Sequence, residues 1–379
     1  MQVAHMSWHP ANGWSPTAGI DCDLVLYFGT RAVLEDSARF RELRAAFPKA
    51  HIAGCSTGGQ ICDDGISDND VTAVTMRFAA AKLRLACSSI PSQEHSRQCG
   101  TAIGEILRAD DLAGIFVLSD GLNVNGSEFV AGITGAIGRH VPLTGGLAGD
   151  GVRFEQTLVG GDCAPASGNI AAVGFCGPIR FGHGSAGGWD EFGPRRRVTR
   201  SKGNILYELD GEPALDLYER YLGEEEVKGL PGTALLFPLL IRDPQRLDSD
   251  VVRTILAIDR SDRSMTFAGD VPEGWVAQLM RGNFDRLAAG AARAARQARS
   301  GLRNGGDRDG VALLVSCIGR RLLMGQRTVE EIEAVGHELG PRLARVGFYS
   351  YDEISPHGAS GVCQLHNQTM TVTTVTEDA

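Results

Sequence analysis

Cys55, Ser56 and Thr57 stand in a row in HIAGCSTGGQI, residues 51 to 61, with glycines on both sides. A strand-like run leads straight into them. A cysteine or serine on a sharp strand-to-helix turn can act as a nucleophile. A glycine-rich turn can hold an anion on its backbone N–H groups. Glycine can also simply permit a tight bend. The spacing here is not GxSxG, and the QICDDG that follows does not read as a helix. A nucleophile needs a base within hydrogen-bond reach, and the nearest histidine in sequence is His51. STGGQ lacks the lysine of a phosphate-binding loop. The favoured expectation is a turn with a small polar wall. An enzyme using Cys55 stays as an alternative, and it requires a reactive thiol.

Other chemistry-bearing residues lie far along the chain. Cys317 and Arg320 fall in SCIGRR after a strand-like run. An arginine there can grip a carboxylate ligand with two N–H groups, or it can be a surface residue. Tyr349, Tyr351 and Glu353 in GFYSYDEI are expected to join Cys55, Ser56 and Thr57 in walling a small-ligand site. Cys363 and His366 in CQLHNQT are three apart. On a strand that spacing puts them on opposite faces, so a shared metal would need a bulge or turn.

The elements that must position these residues recur in order. DLVLYFGT reads as a buried strand, SARFRELRAAF as a helix, HIAGCS as a strand, and VTAVTMRFA as another. GIFVLSD, GSEFVAGITGAIG, VPLTGGLAGDGV and NIAAVGFCG repeat the order, and so do GVALLVSCIG, TVEEIEAVGHELG, RVGFYSYDEI and the C-terminal CQLHNQTMTVTTV, read as one strand over 363–375. Gly54, Gly145 and Gly347 fall at the same point of the three units, which is the mark of an internal repeat. The next positions are Cys55, Gly146 and Phe348, so the bend itself does not need a cysteine. Thr328 and Glu331 are expected to form a capping box. Between units two and three, ILYEL, a turn at Asp210-Gly211 and a helix carrying Ala214, Leu217, Tyr218 and Tyr221 on one face are followed by a hairpin and an alanine-rich helix over 283–300. Asp307 and Asp309 mark a polar surface loop. The expected fold is α/β (α+β), with repeated strand-helix-strand-hairpin units building mixed, largely antiparallel sheets flanked by helices.

The chain has 379 residues, is 43% hydrophobic and 22% charged, and carries a formal charge of −9. It has no long basic stripe, which argues against nucleic acid. Arg195, Arg196 and Arg197 read as a solvated loop. Nine cysteines, none spaced CxxC, point to a reducing compartment rather than a disulfide scaffold. MQVAHMSWHPANGWSP has no signal-peptide core, and TALLFPLLI is too short to cross a bilayer. A cytoplasmic protein without membrane insertion is expected.

GCSTGGQI, VTRSKGNILYELDGEPALDLYERYLG, GDVPEGWVAQLMRGNFD, GFYSYDEISP and CQLHNQTMT together resemble the FIST family over roughly residues 20 to 375. The resemblance implies a FIST N region over 20–202 with two repeat units. It implies a FIST C region over 203–375 with a helical insert and the third unit. It further implies a sensory input protein that binds a small ligand. With no F-box-like extension or output domain expected, the chain would act on a separate signalling protein, and a homodimer is compatible with that role. Some stand-alone bacterial members resemble haem-binding nitric-oxide sensors that regulate a histidine kinase. A haem b would need an axial side chain, and the candidates are His183, His337, His357 and His366, with Cys363 beside the last. His183 and His366 are favoured because they sit in or near the resembling segments. No CxxCH is present, so a haem would be held without covalent attachment. The family pattern leads one to expect glycine where this chain has Asp352, which would add a charge beside the site or alter its turn.

Overall fold

The computed structural model describes residues 1–15, 21–230, 232–246, 250–302, 309–357 and 361–378. Most of the NGGDRDG segment, including Asp307, lies outside the described residues, while Asp309 is exposed.

Unit one comprises β1 (Gln2–His9), β2 (Leu24–Gly29), α1 (Ala38–Ala46), β3 (His51–Ser56), the hairpin β4 (Gln60–Cys62) and β5 (Gly65–Ser67), and β6 (Val71–Arg77). Unit two comprises β7 (Lys82–Ser89), α2 (Ser96–Leu107), β8 (Leu112–Ser119), α3 (Gly126–Ile137), β9 (Leu143–Leu147), β10 (Val159–Gly161) and β11 (Asn169–Cys176). Unit three comprises β12 (Ile179–Ala186), α4 (Phe284–Ser300), β13 (Gly310–Cys317), α5 (Ile318–Met324), α6 (Val329–Leu339), β14 (Leu343–Ser350), the pair β15 (Glu353–His357) and β16 (Val362–His366), and β17 (Met370–Glu377).

Each unit builds one sheet in the same strand order. The orders are β3-β2-β6-β1, β9-β8-β11-β7 and β14-β13-β17-β12. In each, one parallel pair is flanked by antiparallel neighbours: β2 with β3, β8 with β9, and β13 with β14. The parallel pairs need helical crossovers, and the repeated strand-helix-strand order supplies them. Every sheet is then extended by a strand from another unit. β4 of unit one joins β14, β10 of unit two joins β3, and β15 of unit three joins β9. The donations run one to three, three to two and two to one, which closes a ring. β1 was not foreseen. Seven of its eight residues pair along β6, from Gln2↔Arg77 to Trp8↔Val71.

The period-two rule explains the core. Leu26 and Phe28, Phe116 and Leu118, and Leu313 and Val315 hold matching positions and face one shared apolar cluster. The three sheets thus pack their inner faces together, and Phe28 stacks on Phe348 with centroids 4.8 Å apart. On the outer faces α2, α3, α4 and α6 cover the second and third sheets. The alanine-rich α4 buries Gly290, Ala291, Ala294, Ala295 and Ala298, and its arginines face water. The close approach is real, because a Cβ on Gly290 would stand 1.6 Å from the Gly187 carbonyl oxygen.

The insert between β12 and α4 forms its own sheet and core, running from Trp189–Lys202 to Val276–Gly282. Asp210 and Gly211 both take positive φ at the expected turn. The Arg195–Arg197 run proves to be solvated strand rather than loop. The capping box is not formed. A 3-10 turn over Gly325–Thr328 feeds directly into α6, Thr328 Oγ1 donates back to Gly325 and Arg321 carbonyls, and Glu331 is withdrawn into the core.

Candidate functional site

The three bends meet at one end of the shared core. Gly54, Gly145 and Gly347 lie opposite Tyr27, Val117 and Leu314 on the parallel strand. A Cβ at these positions would come within 2.4, 1.9 and 1.8 Å of the facing carbonyl oxygen, so each bend demands glycine. The turns that follow are hydrogen-bonded in a cycle. Gly58 N donates to Tyr349 O at 2.8 Å, Gly149 N to Ser56 O at 2.9 Å, and Tyr351 N to Leu147 O at 3.2 Å.

A groove of about 510 Å³ opens beside this junction. Unit one contributes Thr57, Gly58 and Asp68, unit two Asp150 to Arg153, and unit three Ile318, Arg321 and Leu322. Arg321 pairs with Asp68 at 2.7 Å, donates to Gly58 O, and lies 5.3 Å from the Tyr349 ring centroid. Arg153 is less committed. Its closest ion-pair contact is Asp150 at 3.9 Å, and nearly half its side chain is exposed. Val152 and Leu322 form exposed apolar lips. Burial pushes the Asp150 carboxyl up, but hydrogen bonds from Tyr351 Oη and from the backbone N–H groups of Gln156, Glu155 and Phe154 prevail and hold it below the usual range. Arg31 pairs with it at 2.9 Å.

Of the residues singled out in the sequence, Thr57 lines this groove, although its hydroxyl is already engaged by Gly59 N at 3.2 Å and by Gln60 at 2.8 Å. Tyr351 lies beneath it, hydrogen-bonded to Asp150 and stacked on Phe154 at 4.3 Å. Ser56 is buried, and its Oγ accepts from Leu158 N at 2.8 Å. Cys55 faces the shared core, fully buried, and burial raises its thiol well above the ordinary value. That is the reverse of an activated nucleophile.

Arg320 is neither a surface residue nor open to a ligand. It is fully buried, paired with Glu331 at 2.7 Å and donating to Leu287 O at 2.9 Å. Tyr349 Oη and Ser316 Oγ each donate to Glu331 Oε1 at 2.9 Å. Glu353 is also sealed in, accepting from Thr369 N at 2.9 Å, Thr369 Oγ1 at 2.8 Å and Ser350 Oγ at 3.0 Å. Burial pushes its carboxyl up to about 8. Cys317 is buried beside it, with its thiol raised well above normal by burial and then by Glu353 and Asp352. Asp352 does not break its turn. Its carboxyl accepts from Asn367 Nδ2 in the interior, and burial followed by Glu353 raises its pKa well above the usual range.

The haem candidates do not converge. His183 lies on strand β12 rather than in a loop and is half-buried, and burial lowers its pKa. His366 is buried with Nε2 at 3.0 Å from Ser355 O and its ring stacked on His357. Burial first, then His357, lowers its pKa to about 3. Cys363 Sγ accepts from Leu143 N at 3.3 Å. These residues do not fit a haem, which needs a ligand atom facing an apolar slot. The two C-terminal donors are already engaged, and none of the three lines the groove at Thr57.

Sequence reasoning missed Asp150, Arg153, Glu331 and Arg321. Asp150 was open to discovery, because counting on from the aligned glycines sets Gly59, Asp150 and Asp352 at one position.

Three α/β units joined by exchanged strands thus close a ring, with a groove where their turns meet. The chain belongs to the FIST family: the FIST N domain model matches residues 23–212 and the FIST C domain model residues 214–356. It is also similar to the uncharacterized protein MJ1623 of Methanocaldococcus jannaschii, at 24% identity over 276 residues. The match covers 65% of this chain and 51% of that relative, so the chain spans about half the relative's length. FIST domains are associated with sensory signal transduction. Among the described residues no helix is long and apolar enough to cross a membrane.

Proposed function

We propose that this chain is a sensory input protein that takes a small polar ligand in the groove at Thr57, Gly58, Asp150 and Arg321 and transmits its occupancy to a separate signalling protein. The supporting observation is that the groove draws a wall from each unit, and the same turns are hydrogen-bonded in a cycle. An occupant that favours one relation among the units shifts the chain toward it. Arg153 suits a carboxylate, the half-exposed Asp68 suits an ammonium, and Val152 and Leu322 suit an apolar substituent. A histidine kinase is one partner class that would read such a change. All nine cysteines are free thiols, which supports a cytoplasmic setting.

Thermal-shift screening of amino acids and small carboxylates tests this reading. A ligand at a hundred times its Kd stabilises the fold by about 2.7 kcal/mol. Arg153→Ala is expected to abolish that shift while leaving the unliganded midpoint nearly unchanged. No shift across the set, or a shift indifferent to Arg153→Ala and Asp68→Asn, would overturn the groove. A Soret band in protein from haem-supplemented cells would instead reinstate a haem sensor.

A further inference from the structure

Away from the groove, His5 of β1 faces the turn of the β4–β5 hairpin. Its Nδ1 lies 3.5 Å from Cys62 Sγ and 3.1 Å from Asp63 Oδ2. The three donor atoms all lie within 4.8 Å of one another. A tetrahedral zinc with Zn–S of about 2.3 Å and Zn–N or Zn–O of about 2.0–2.1 Å separates its ligand atoms by about 3.5–3.6 Å for N···S and about 3.3 Å for N···O. The two spacings from His5 match those of a coordination sphere, and the third, from Cys62 to Asp63, lies within 4.8 Å and closes by rotation of the exposed Asp63 side chain.

We propose that His5, Cys62 and Asp63 form a binding site for a zinc-class divalent cation, with water in the remaining position. The donor chemistry is one imidazole, one thiolate and one carboxylate, a set that suits zinc over magnesium or calcium. The carboxylate is aimed. Asp63 Oδ1 accepts from Arg345 N at 3.3 Å, which leaves Oδ2 toward His5. In the empty site Asp63 Oδ2 accepts from His5 Nδ1–H at 3.1 Å, so ligation through Nδ1 moves that proton to Nε2, which has no hydrogen-bond partner among the described residues. His5 and Asp63 line a wide surface groove together with Asp64 and Asp309, which gives an ion a route in. The guanidinium of Arg345 is offset by Asp64 at 2.9 Å. Binding displaces the Cys62 proton, so affinity falls as pH falls.

The position gives the ion a consequence. β1 belongs to the first sheet, whereas β4 leaves unit one to pair with β14 in the third. A cation here would tie the first sheet to the strand donated across the ring.

The test uses the full chain, reduced and stripped with a chelator, then titrated with Co2+ and afterwards Zn2+. One equivalent of Co2+ is expected to give tetrahedral d–d bands and a thiolate-to-cobalt charge-transfer band, both removed by Zn2+. Cys62→Ser should lose the charge-transfer band, and His5→Ala and Asp63→Asn should each weaken Co2+ binding about ten-fold or more. A Cys87→Ser/Cys163→Ser double variant, which removes the exposed thiols, should retain the band. Circular dichroism of each variant checks that the fold survives, and His5→Ala carries the test alone if Cys62→Ser does not fold. Absence of a charge-transfer band, its persistence in Cys62→Ser, or its loss in the double variant would overturn the site.

Discussion

Gly54 in unit one and Gly347 in unit three press against their parallel neighbours in the same way, yet the turns after them hold opposite contents. After Gly54 come Cys55 and Ser56, small and without charge, and then Thr57 at the edge of an open groove. After Gly347 come Phe348, Tyr349, Asp352 and Glu353, which lie over a buried network with Arg320 and Glu331. One backbone device thus serves two ends. The first turn leaves room beside it, and the third fills that room with hydrogen-bonded carboxyls and with Tyr349, which donates to the buried Arg320–Glu331 pair. Buried charges are tolerated only when paired and hydrogen-bonded, so the third turn should be the less forgiving of the two.

The largest effect should come from breaking that network. Glu331→Ala strands the Arg320 guanidinium and is expected to cost about 3–5 kcal/mol in urea unfolding. A loss no larger than that of Ser56→Ala would erase the contrast between the turns. The shared backbone should respond alike in both. Gly347→Ala and Gly54→Ala should each cost about 1–3 kcal/mol through overpacking. Gly135→Ala, where a Cβ meets nothing within 4 Å, should be neutral or stabilising. Unequal costs at Gly54 and Gly347 would show that their backbones are not equivalent.

The third turn should also carry a pH signature. The Glu353 carboxyl, ordinarily near 4.5, is raised to about 8 by burial, so between those values the folded chain holds a proton that the unfolded chain has lost. That stability is complete below about 4.5 and declines as pH rises through about 8. Asp352, raised by burial and by Glu353, acts with the same sign. Unfolding midpoints measured across this window should fall with pH in the native chain and fall less in Glu353→Gln. The smallest effect concerns Cys55. It should resist thiol reagents in the folded state while the exposed Cys87 and Cys163 react. Rapid labelling of Cys55 would place it in the groove rather than the core.

Much of this architecture is legible from residue order. Apolar alternation marks the strands, and the aligned glycines mark the bends because nothing larger fits against the facing carbonyl. The FIST resemblance rests on such segments. The polar positions resist reading for a physical reason. Arg320 and Glu331 are eleven residues apart and look like ordinary helix-surface charges until α5 and α6 fold over β13. His366 reads as a metal ligand because an imidazole looks the same whether it is open or already bonded to Ser355 O.

Strand periodicity, the threefold repeat and the absence of disulfide or nucleic-acid signatures are local properties, and so they follow from the chain alone. Which unit lends its strand to which sheet is not local, since β4, β10 and β15 are short and each could have paired within its own unit. Only packing three inner faces into one core selects the cyclic exchange. That exchange brings Thr57, Asp150 and Arg321 to one groove and His5 to Cys62 and Asp63.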